Sequence, residues 1–247
     1  MTHQSEKYRF QLDISEQDIA VMNENFNDAD PGALLEWACN EFQQKVVLGT
    51  GFGPSGIVLM HHLHESEIPI RVFCLDTGLL FAQTYELWKK LERRFNITIE
   101  KVSPILTLEG QKSKYGDKLW ESDADRCCHI RKVLPLRKYL ANKAAWITGL
   151  RRSQSEFRGT IDKIEWDPTN KVVKINPLAD WSQENVWWYI KEYDLPYNPL
   201  HDDGFPSIGC VPCTSKATDG RDERSGRWKN STKTECGIHL PDSESDQ

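Results

Sequence analysis

Short apolar runs alternate with amphipathic stretches through the centre of the chain, and each apolar run ends in a turn. Buried strands are predicted over residues 46–48, 70–75, 97–102 and 144–149, with helices over 57–64 and 81–95. Strands that alternate with helices form a parallel sheet that is covered on both faces. The pattern therefore predicts an α/β fold with a mostly parallel twisted sheet and helices on both faces.

The flanking segments extend this unit. A helix is predicted from Ser15 to Phe26, with Ser15 and Asp18 as a capping box, and a second helix opens at Pro31. Residues 161–166 and 171–175 predict a hairpin, and the aromatic residues of the helix that follows it, around residues 186–190, are expected in the core.

Composition excludes several classes of protein. The 247 residues are 38% hydrophobic and 28% charged, which is typical of a soluble globular protein. A net charge of -6 argues against a bulk nucleic-acid binder. No apolar run approaches the roughly eighteen residues that span a membrane, and the N-terminus has no secretory or transit pattern. We therefore expect a cytoplasmic protein.

Three loops are predicted at the carboxyl ends of the strands, where ligands bind in such sheets. They cover residues 49–56, 76–78 and 149–152. The first is rich in Gly and leads into a helix, so its backbone N–H groups can bind an anion. It matches neither the dinucleotide fingerprint nor a Walker loop, and an ordinary tight turn is the alternative interpretation.

The run from residue 149 to residue 158 begins with the third loop and carries three arginines, Arg151, Arg152 and Arg158, directly after a predicted buried strand. The planar guanidinium group suits phosphate and sulfate because it donates two parallel hydrogen bonds. A solvated loop is the alternative. We favour an anion site because the end of a strand is where ligand sites form in this class of fold.

Seven cysteines are present, and a reducing compartment makes structural disulfides unexpected. Cys39 and Cys74 lie in apolar runs and are predicted to be buried. Four others form two pairs about eighty residues apart, namely Cys127, Cys128, Cys210 and Cys213. Two pairs indicate zinc most simply, but adjacent cysteines suit a tetrahedral knuckle poorly and a [4Fe–4S] cube better. A redox dithiol at the second pair is a further alternative.

Cys236 lies beside Gly237 and His239 in a basic segment of the chain. Five basic residues come before it, namely Arg221, Arg224, Arg227, Lys229 and Lys233. Neighbouring positive charge favours the thiolate, which is the nucleophilic form of cysteine. A free cysteine in a loose terminus is the alternative.

Together these motifs resemble the assimilatory adenylyl-sulfate (APS) reductases, which are grouped with the phosphoadenylyl-sulfate (PAPS) reductases and are akin to ATP pyrophosphatases. The resemblance rests on the two cysteine pairs and on the run from Glu235 to His239, and it extends from about residue 46 to residue 239. It implies an ATP-pyrophosphatase-like nucleotide-binding fold. One structural domain is expected, in three parts: N-terminal helices (1–44), a nucleotide-binding α/β unit (45–205), and a C-terminal segment with cluster ligands and the nucleophile (206–247).

The resemblance implies thiol-dependent reduction of APS to sulfite and AMP in sulfate assimilation. Cys236 would be the nucleophile, on a mobile C-terminal segment, and would form an S-sulfocysteine that a thioredoxin- or glutaredoxin-type protein discharges. The two cysteine pairs would hold a non-redox [4Fe–4S] cluster close to Lys132. A homo-oligomer is compatible with the resemblance.

The resemblance also implies a set of substrate-binding residues. They are Gly51, Phe52, Gly53, Ser55, Leu75, Asp76, Thr77, Gly78, Lys132, Gly149, Arg151, Arg152, Arg158, Arg224, Arg227 and His239.

One departure from the family pattern keeps an alternative open. The glycine loop lacks an acidic residue after a Ser-rich run and is closer to the loop of PAPS reductases, so a PAPS-reducing or dual-specificity enzyme is the alternative. A tRNA-thiolating enzyme would need a different ATP loop and a basic face for RNA. A non-enzymatic cluster carrier would not need Cys236.

Overall fold

The structure is a computed structural model that describes residues 14–217, 223–228, 233 and 235–239. A six-stranded sheet forms its centre, in the order β3-β2-β1-β4-β6-β5. In chain order the strands are β1 (Val46–Thr50), β2 (Arg71–Leu75), β3 (Glu100–Val102), β4 (Ala145–Ile147), β5 (Ile164–Asp167) and β6 (Val172–Ile175).

The sheet is parallel except at one edge. β1 lies between β2 and β4, with Leu48 opposite Val72 on one side and opposite Ile147 on the other. β5 and β6 form the predicted antiparallel hairpin, in which Ile164 faces Ile175. The mostly parallel α/β sheet predicted from the sequence is confirmed, and the carboxyl ends of β1, β2, β4 and β6 meet at one edge.

Nine α-helices surround the sheet in the described part of the chain. They are α1 (Glu16–Asn25), α2 (Pro31–Phe42), α3 (Pro54–Glu65), α4 (Ala82–Phe95), α5 (Leu108–Tyr115), α6 (Leu119–Ser122), α7 (Ala124–Cys128), α8 (Leu134–Leu140) and α9 (Gln183–Glu192). A π-helical turn, His129–Val133, joins α7 to α8. The predicted capping box of α1 is present, since Ser15 and Asp18 bond to each other's backbone N–H groups.

The two faces of the sheet pack into separate cores, and strand residues alternate between them. Val46 and Leu48 face the larger core, which also holds α2, α3, α4 and α9. Val47 and Trp146 face the smaller core, which is closed by Leu136 and Leu140 of α8. The α3 face and the α8 face therefore lie on opposite sides of the same strand ends.

Some predictions about individual residues were wrong. Trp188 was expected in the core with its aromatic neighbours, but 61% of its surface is exposed because it lies on the outer side of α9. Cys39 was expected to be buried and is only half-buried. Cys74 is buried, as predicted. No helix in the described part of the chain is long and apolar enough to cross a membrane.

Candidate active site

A cavity opens at the carboxyl edge of the sheet, where the three predicted loops meet. Residues of the glycine loop, of the turn after β2 and of the arginine loop line it together with Lys132 and the segment that carries Cys236. Side chains from both faces of the sheet contribute, since Ser55 comes from the α3 face and Trp146 from the α8 face. The cavity therefore runs across the strand ends from one face to the other.

The glycine loop is shaped by contacts that a side chain would prevent. Gly53 precedes Pro54 at the start of α3, so the first turn of the helix opens into the cavity. A Cβ atom on Gly149 would lie 3.0 Å from Cβ of Ser55 and 3.2 Å from the backbone nitrogen of Gly56. The absence of a side chain at Gly149 thus allows the loops after β1 and β4 to touch.

Arg151 is held by several groups at the α3 end of the cavity. Its Nε donates to Oγ of Ser55 at 3.0 Å, and Nη1 donates to Oγ of Ser153 at 2.7 Å. Its Nη2 contacts both carboxylate oxygens of Glu223, at 2.8 and 2.6 Å. Arg151 is 3% exposed, so this ion pair is largely shielded from water.

Four of the residues predicted to bind substrate do not line the cavity. Phe52 turns away and packs against Trp88 of α4, and Arg152 donates to the backbone oxygen of Ile161 and pairs with Asp180. The other two are Asp76 and Gly78. Asp76 has a structural contact instead, because its carboxylate accepts from the Gly78 N–H at 2.9 Å and from Tyr85 at 2.6 Å.

The remaining predicted contacts all line the cavity. They are Gly51, Gly53, Ser55, Leu75, Thr77, Lys132, Gly149, Arg151, Arg158, Arg224, Arg227 and His239. Of the predicted basic residues before Cys236, Arg221 and Lys229 lie outside the described residues.

The cysteine pairs come to the same end of the sheet. Burial raises the pKa of Cys127 and of Cys213, and nearby Cys210 raises both further. Oγ1 of Thr77 lies 3.3 Å from Sγ of Cys210, and Nε2 of Gln111 lies 3.8 Å from Sγ of Cys127. Among the described residues, no three Cys, His, Asp or Glu side chains are close enough to hold a metal ion.

Cys128 is directed toward Cys236. The hydrogen bond from the Cys128 thiol lowers the pKa of Cys236 well below its ordinary value, and Lys132 and Arg227 lower it further against the effect of burial. Burial lowers the pKa of Lys132, but nearby Cys210 and Cys236 raise it by more, so the ammonium group stays charged. Cys236 is 7% exposed, and its side chain belongs to the cavity lining. The structure thus places a buried cysteine with a lowered pKa beside a fixed cation.

Glu235 connects the cysteine segment to the arginine loop. Its carboxylate accepts from Arg158, from Nη2 of Arg224 at 2.7 Å and from the backbone N–H of Cys236 at 2.7 Å. Burial opposes its ionisation, but the hydrogen bond and charge of Arg158 outweigh burial and lower the pKa of Glu235. The residue before Cys236 is therefore fixed by two guanidinium groups.

His239 and Trp146 close the α8 end of the cavity. Their rings stack with centroids 5.4 Å apart and an interplanar angle of 9°. Burial and the charge of Arg158 hold the pKa of His239 well below its ordinary value, so the ring is neutral. Nδ1 of His239 and Nε1 of Trp146 are buried and have no hydrogen-bond partner among the described residues. Buried polar atoms without a partner are uncommon in proteins, and both of these residues line the cavity.

Sequence reasoning assigned no role to Glu223, Glu235 or Trp146. Glu235 stands beside Cys236, but nothing in the sequence shows that its partner is Arg158, which lies 77 residues earlier. Trp146 lies inside an apolar run, and nothing in the sequence indicates that its indole N–H belongs to the cavity lining. The alternation of faces along a strand was the only available indication that Trp146 and Val47 share a side of the sheet.

Comparison with known proteins agrees with this geometry. Residues 45–216 match the family model described as the phosphoadenosine phosphosulfate reductase domain. A protein of Salinibacter ruber named adenosine 5′-phosphosulfate reductase is 47% identical over 230 residues, which cover 92% of this chain and 91% of that protein. A protein of Gloeobacter violaceus named phosphoadenosine 5′-phosphosulfate reductase is 44% identical over 231 residues, covering 92% of this chain and 96% of that protein.

A solved structure of a protein of this kind also resembles the chain. The crystal structure of the PAPS reductase of Candida auris in a phosphate complex aligns with a TM-score of 0.75 at 31% identity, covering 83% of this chain and 100% of that chain. The resemblance predicted from the motifs, and with it the expectation of an enzyme of this kind, is confirmed. The chain belongs to the phosphoadenosine phosphosulfate reductase family.

Proposed function

We propose that this protein reduces adenosine 5′-phosphosulfate to sulfite and AMP in sulfate assimilation, with electrons from a dithiol protein. The observation that carries the proposal is the placement of Cys236. Its thiol lines a cavity at the carboxyl edge of a parallel sheet. The pKa of this thiol is lowered, in part by the positive charges of Lys132 and Arg227. Such a thiolate is suited to attack an anionic sulfur centre, because the two cations offset the charge of the sulfate.

The proposed reaction has two parts. The Cys236 thiolate attacks the sulfate sulfur, an S–S bond forms, and the bond between that sulfur and the bridging oxygen breaks. AMP leaves with the electron pair of that bond, and the enzyme carries an S-sulfocysteine. One thiol of the dithiol protein then attacks Sγ of Cys236 and releases sulfite. Its second thiol resolves the mixed disulfide, so that the dithiol supplies two electrons and loses two protons.

The cavity residues have separate tasks in this scheme. Lys132 and Arg227 offset the negative charge that develops on the departing phosphate oxygen. His239 is neutral and accepts or donates one hydrogen bond through Nδ1, and Nε1 of Trp146 donates another. The backbone N–H groups at the start of α3 face the nucleotide, as helix N-termini do toward anions.

A [4Fe–4S] cluster is the cofactor we propose for the two cysteine pairs. The chemistry of the donor set supports it, because Cys127, Cys128, Cys210 and Cys213 are four thiols at one end of the sheet, and neutral donors from Thr77 and Gln111 lie beside two of them. Cys128 would turn from Cys236 to join the other three. A cluster bound there would supply negative charge next to Lys132 without exchanging electrons. A content of about four iron atoms and four acid-labile sulfides per chain would support the cluster. Bound zinc would contradict the cluster and indicate a structural zinc site instead.

The test of the reaction uses APS that carries a radiolabel in its sulfate sulfur and is incubated with the enzyme in the absence of thiols. Peptide mapping should place the label on the peptide with Cys236, and reduced thioredoxin should release it as sulfite. The Cys236→Ser variant should bind AMP and take up no label. Labelling from PAPS and not from APS would assign the enzyme to the other substrate, and the Gloeobacter relative gives that alternative weight. Absence of label from either would reject the proposal.

A cytoplasmic location is part of the same proposal. The reaction needs a reduced dithiol protein, and Cys236 must remain a thiol between turnovers. Thioredoxin and glutaredoxin are the two classes of reductant to compare, by the rate at which each releases sulfite from the labelled enzyme.

A further inference from the structure

The C-terminal segment brings two glutamates into a cavity that we expect to bind an anion. Glu223 contacts Arg151 through both carboxylate oxygens, and its side chain is only 15% exposed. Glu235 pairs with both Arg158 and Arg224. Three of the arginines that line the cavity therefore have a carboxylate partner in the protein itself, and two carboxylates are shared among them.

Two other cations of the lining are different. Within the part of the chain that the structure describes, neither Lys132 nor Arg227 forms an ion pair with a carboxylate. Both line the cavity together with Cys236. The lining therefore keeps positive charge without a carboxylate partner at Lys132 and Arg227, whereas Arg151 already has a carboxylate partner.

The position of Arg151 in the cavity determines which part of a bound nucleotide would contact its guanidinium group. Arg151 bonds to Ser55 at the first turn of α3, which packs on one face of the sheet. The segment around Cys236 packs on the other face, where Ile238 touches the core closed by α8. Because the sulfate sulfur must reach Cys236, the nucleoside has to extend across the strand ends toward Ser55 and Arg151.

We propose that Glu223 is a specificity-determining residue that excludes nucleotides with a 3′-phosphate. Its carboxylate occupies the donors of Arg151 that would otherwise bind a phosphate on the ribose, and its charge repels that phosphate. The cavity then selects a nucleotide whose negative charge lies only at the 5′ end. This inference rests on the proposed function and names the feature that would separate APS from PAPS in this chain.

The test compares two ligands that differ only in the 3′-phosphate. AMP and adenosine 3′,5′-bisphosphate are titrated into the wild-type protein and into Glu223→Gln by calorimetry, and no reduction step is needed. The substitution removes the charge and frees the Nη2 group of Arg151. We expect affinity for the bisphosphate to rise about tenfold relative to AMP, which equals about 1.4 kcal/mol, a typical charge-assisted hydrogen bond.

Two further variants control the result. Glu184→Gln removes the same charge from an exposed residue that acts on Arg151 only through space, and it should leave the ratio of affinities near the wild-type value. Glu223→Asp keeps the charge and should preserve discrimination. If Glu223→Gln melts early, Glu223→Ala takes its place, and an unchanged ratio of affinities in Glu223→Ala would overturn the proposal.

The outcomes separate the inference from the proposed function. An unchanged ratio in Glu223→Gln, or an equal gain for AMP and the bisphosphate, would overturn the role of Glu223 even if the enzyme reduces APS. If the wild-type protein takes up no label from APS, the proposed function fails, whereas a selective gain for the bisphosphate in Glu223→Gln would still establish Glu223 as the residue that discriminates at the ribose.

Discussion

Glu235 and Arg158 form a two-pronged ion pair in the interior of the protein: Nε of Arg158 donates to Oε2 at 2.7 Å and Nη2 donates to Oε1 at 2.9 Å. The carboxylate that accepts these bonds also accepts the backbone N–H of Cys236. The ion pair therefore ties the backbone of the candidate nucleophile to the loop after β4. A buried pair of this kind is costly to break on one side, since the other charge is then left unsatisfied.

Replacing Glu235 with Gln should slow catalysis more than it weakens substrate binding. The amide keeps the shape but releases Arg158 and Arg224, so the segment around Cys236 loses its anchor while the cavity gains positive charge. We expect kcat to fall about tenfold to hundredfold, as for a small misplacement of a reacting group, and KM for APS to stay level or fall. Steady-state kinetics and the rate of single-turnover labelling measure the two effects separately.

Glu156→Gln is the matched control for Glu235→Gln. Glu156 lies in the same loop as Arg158 and is exposed, so its replacement removes a charge without releasing a buried guanidinium. It should leave kcat near the wild-type value. A higher KM with normal kcat in Glu235→Gln would show that Glu235 serves substrate binding and not the placement of Cys236.

Trp146→Phe should weaken nucleotide binding without unfolding the protein. Phenylalanine keeps a ring to stack on His239 and removes the Nε1–H that is buried without a partner among the described residues. If that group bonds to the ligand, the dissociation constant for AMP should rise roughly threefold to tenfold, the value of one neutral hydrogen bond. Trp166→Phe on β5, where the indole is 37% exposed, is the control and should bind AMP normally. Equal binding by both variants would exclude Trp146 as a ligand contact.

The sequence predicted the sheet well because its strands carry local signals. The apolar runs at β1 and β2, their terminal glycines and the amphipathic α4 each contain enough information within a few residues. The prediction of a mostly parallel sheet then fixed the edge at which the loops meet. Ser55, Thr77 and Arg158 follow strands of this sheet, so their position at the cavity is predictable from the sequence.

The features that could not be predicted from the sequence depend on contacts between segments that are distant in the chain. Residues 108–140 form four helices and a π-helical turn, yet α5 has almost no one-sided apolar pattern, so no element was predicted there. Phe52 was grouped with the loop glycines, but its backbone φ of 60° turns the ring toward Trp88. The partner of an arginine is also invisible in sequence: Arg152 pairs with Asp180 and its neighbour Arg151 pairs with Glu223.

Lys163→Met should destabilise the fold at a distance from the cavity. The ammonium group donates to the backbone oxygens of Phe26, Asn27 and Ala29, at 3.1, 2.6 and 3.1 Å, just beyond the end of α1. Removing it leaves the oxygens of Asn27 and Ala29 without this donor, while the oxygen of Phe26 keeps the N–H of Ala29. We expect a loss of about 2–4 kcal/mol in the free energy of unfolding. Urea denaturation measures this loss. Lys191→Met, on the exposed side of α9, should change stability little, and a similar loss in both variants would contradict the role given to Lys163.

Stability should also decline as the pH falls below about 6.5, because of a histidine pair between α3 and α9. Burial is the main cause that lowers the pKa of His61 and of His62, and for His62 the charge of His61 lowers it further. Nδ1 of His61 lies 2.9 Å from the hydroxyl of Tyr189, and Nε2 lies 3.5 Å from Glu65. His64 and Arg94 also face His61, and Asp30 acts on His62.

The sign follows from the direction of these shifts. Since both pKa values are lower in the folded protein, the unfolded chain takes up protons first as the pH falls, and unfolding becomes easier. Each histidine contributes a slope of up to about 1.4 kcal/mol per pH unit, beginning near pH 6.5 and ending at its folded pKa. Urea denaturation between about pH 7.5 and about pH 5.5 should show this slope, and the variant His61→Gln/His62→Gln should show a shallower one. Equal slopes for the two proteins would mean that other groups cause the decline, with the pair on α3 contributing nothing.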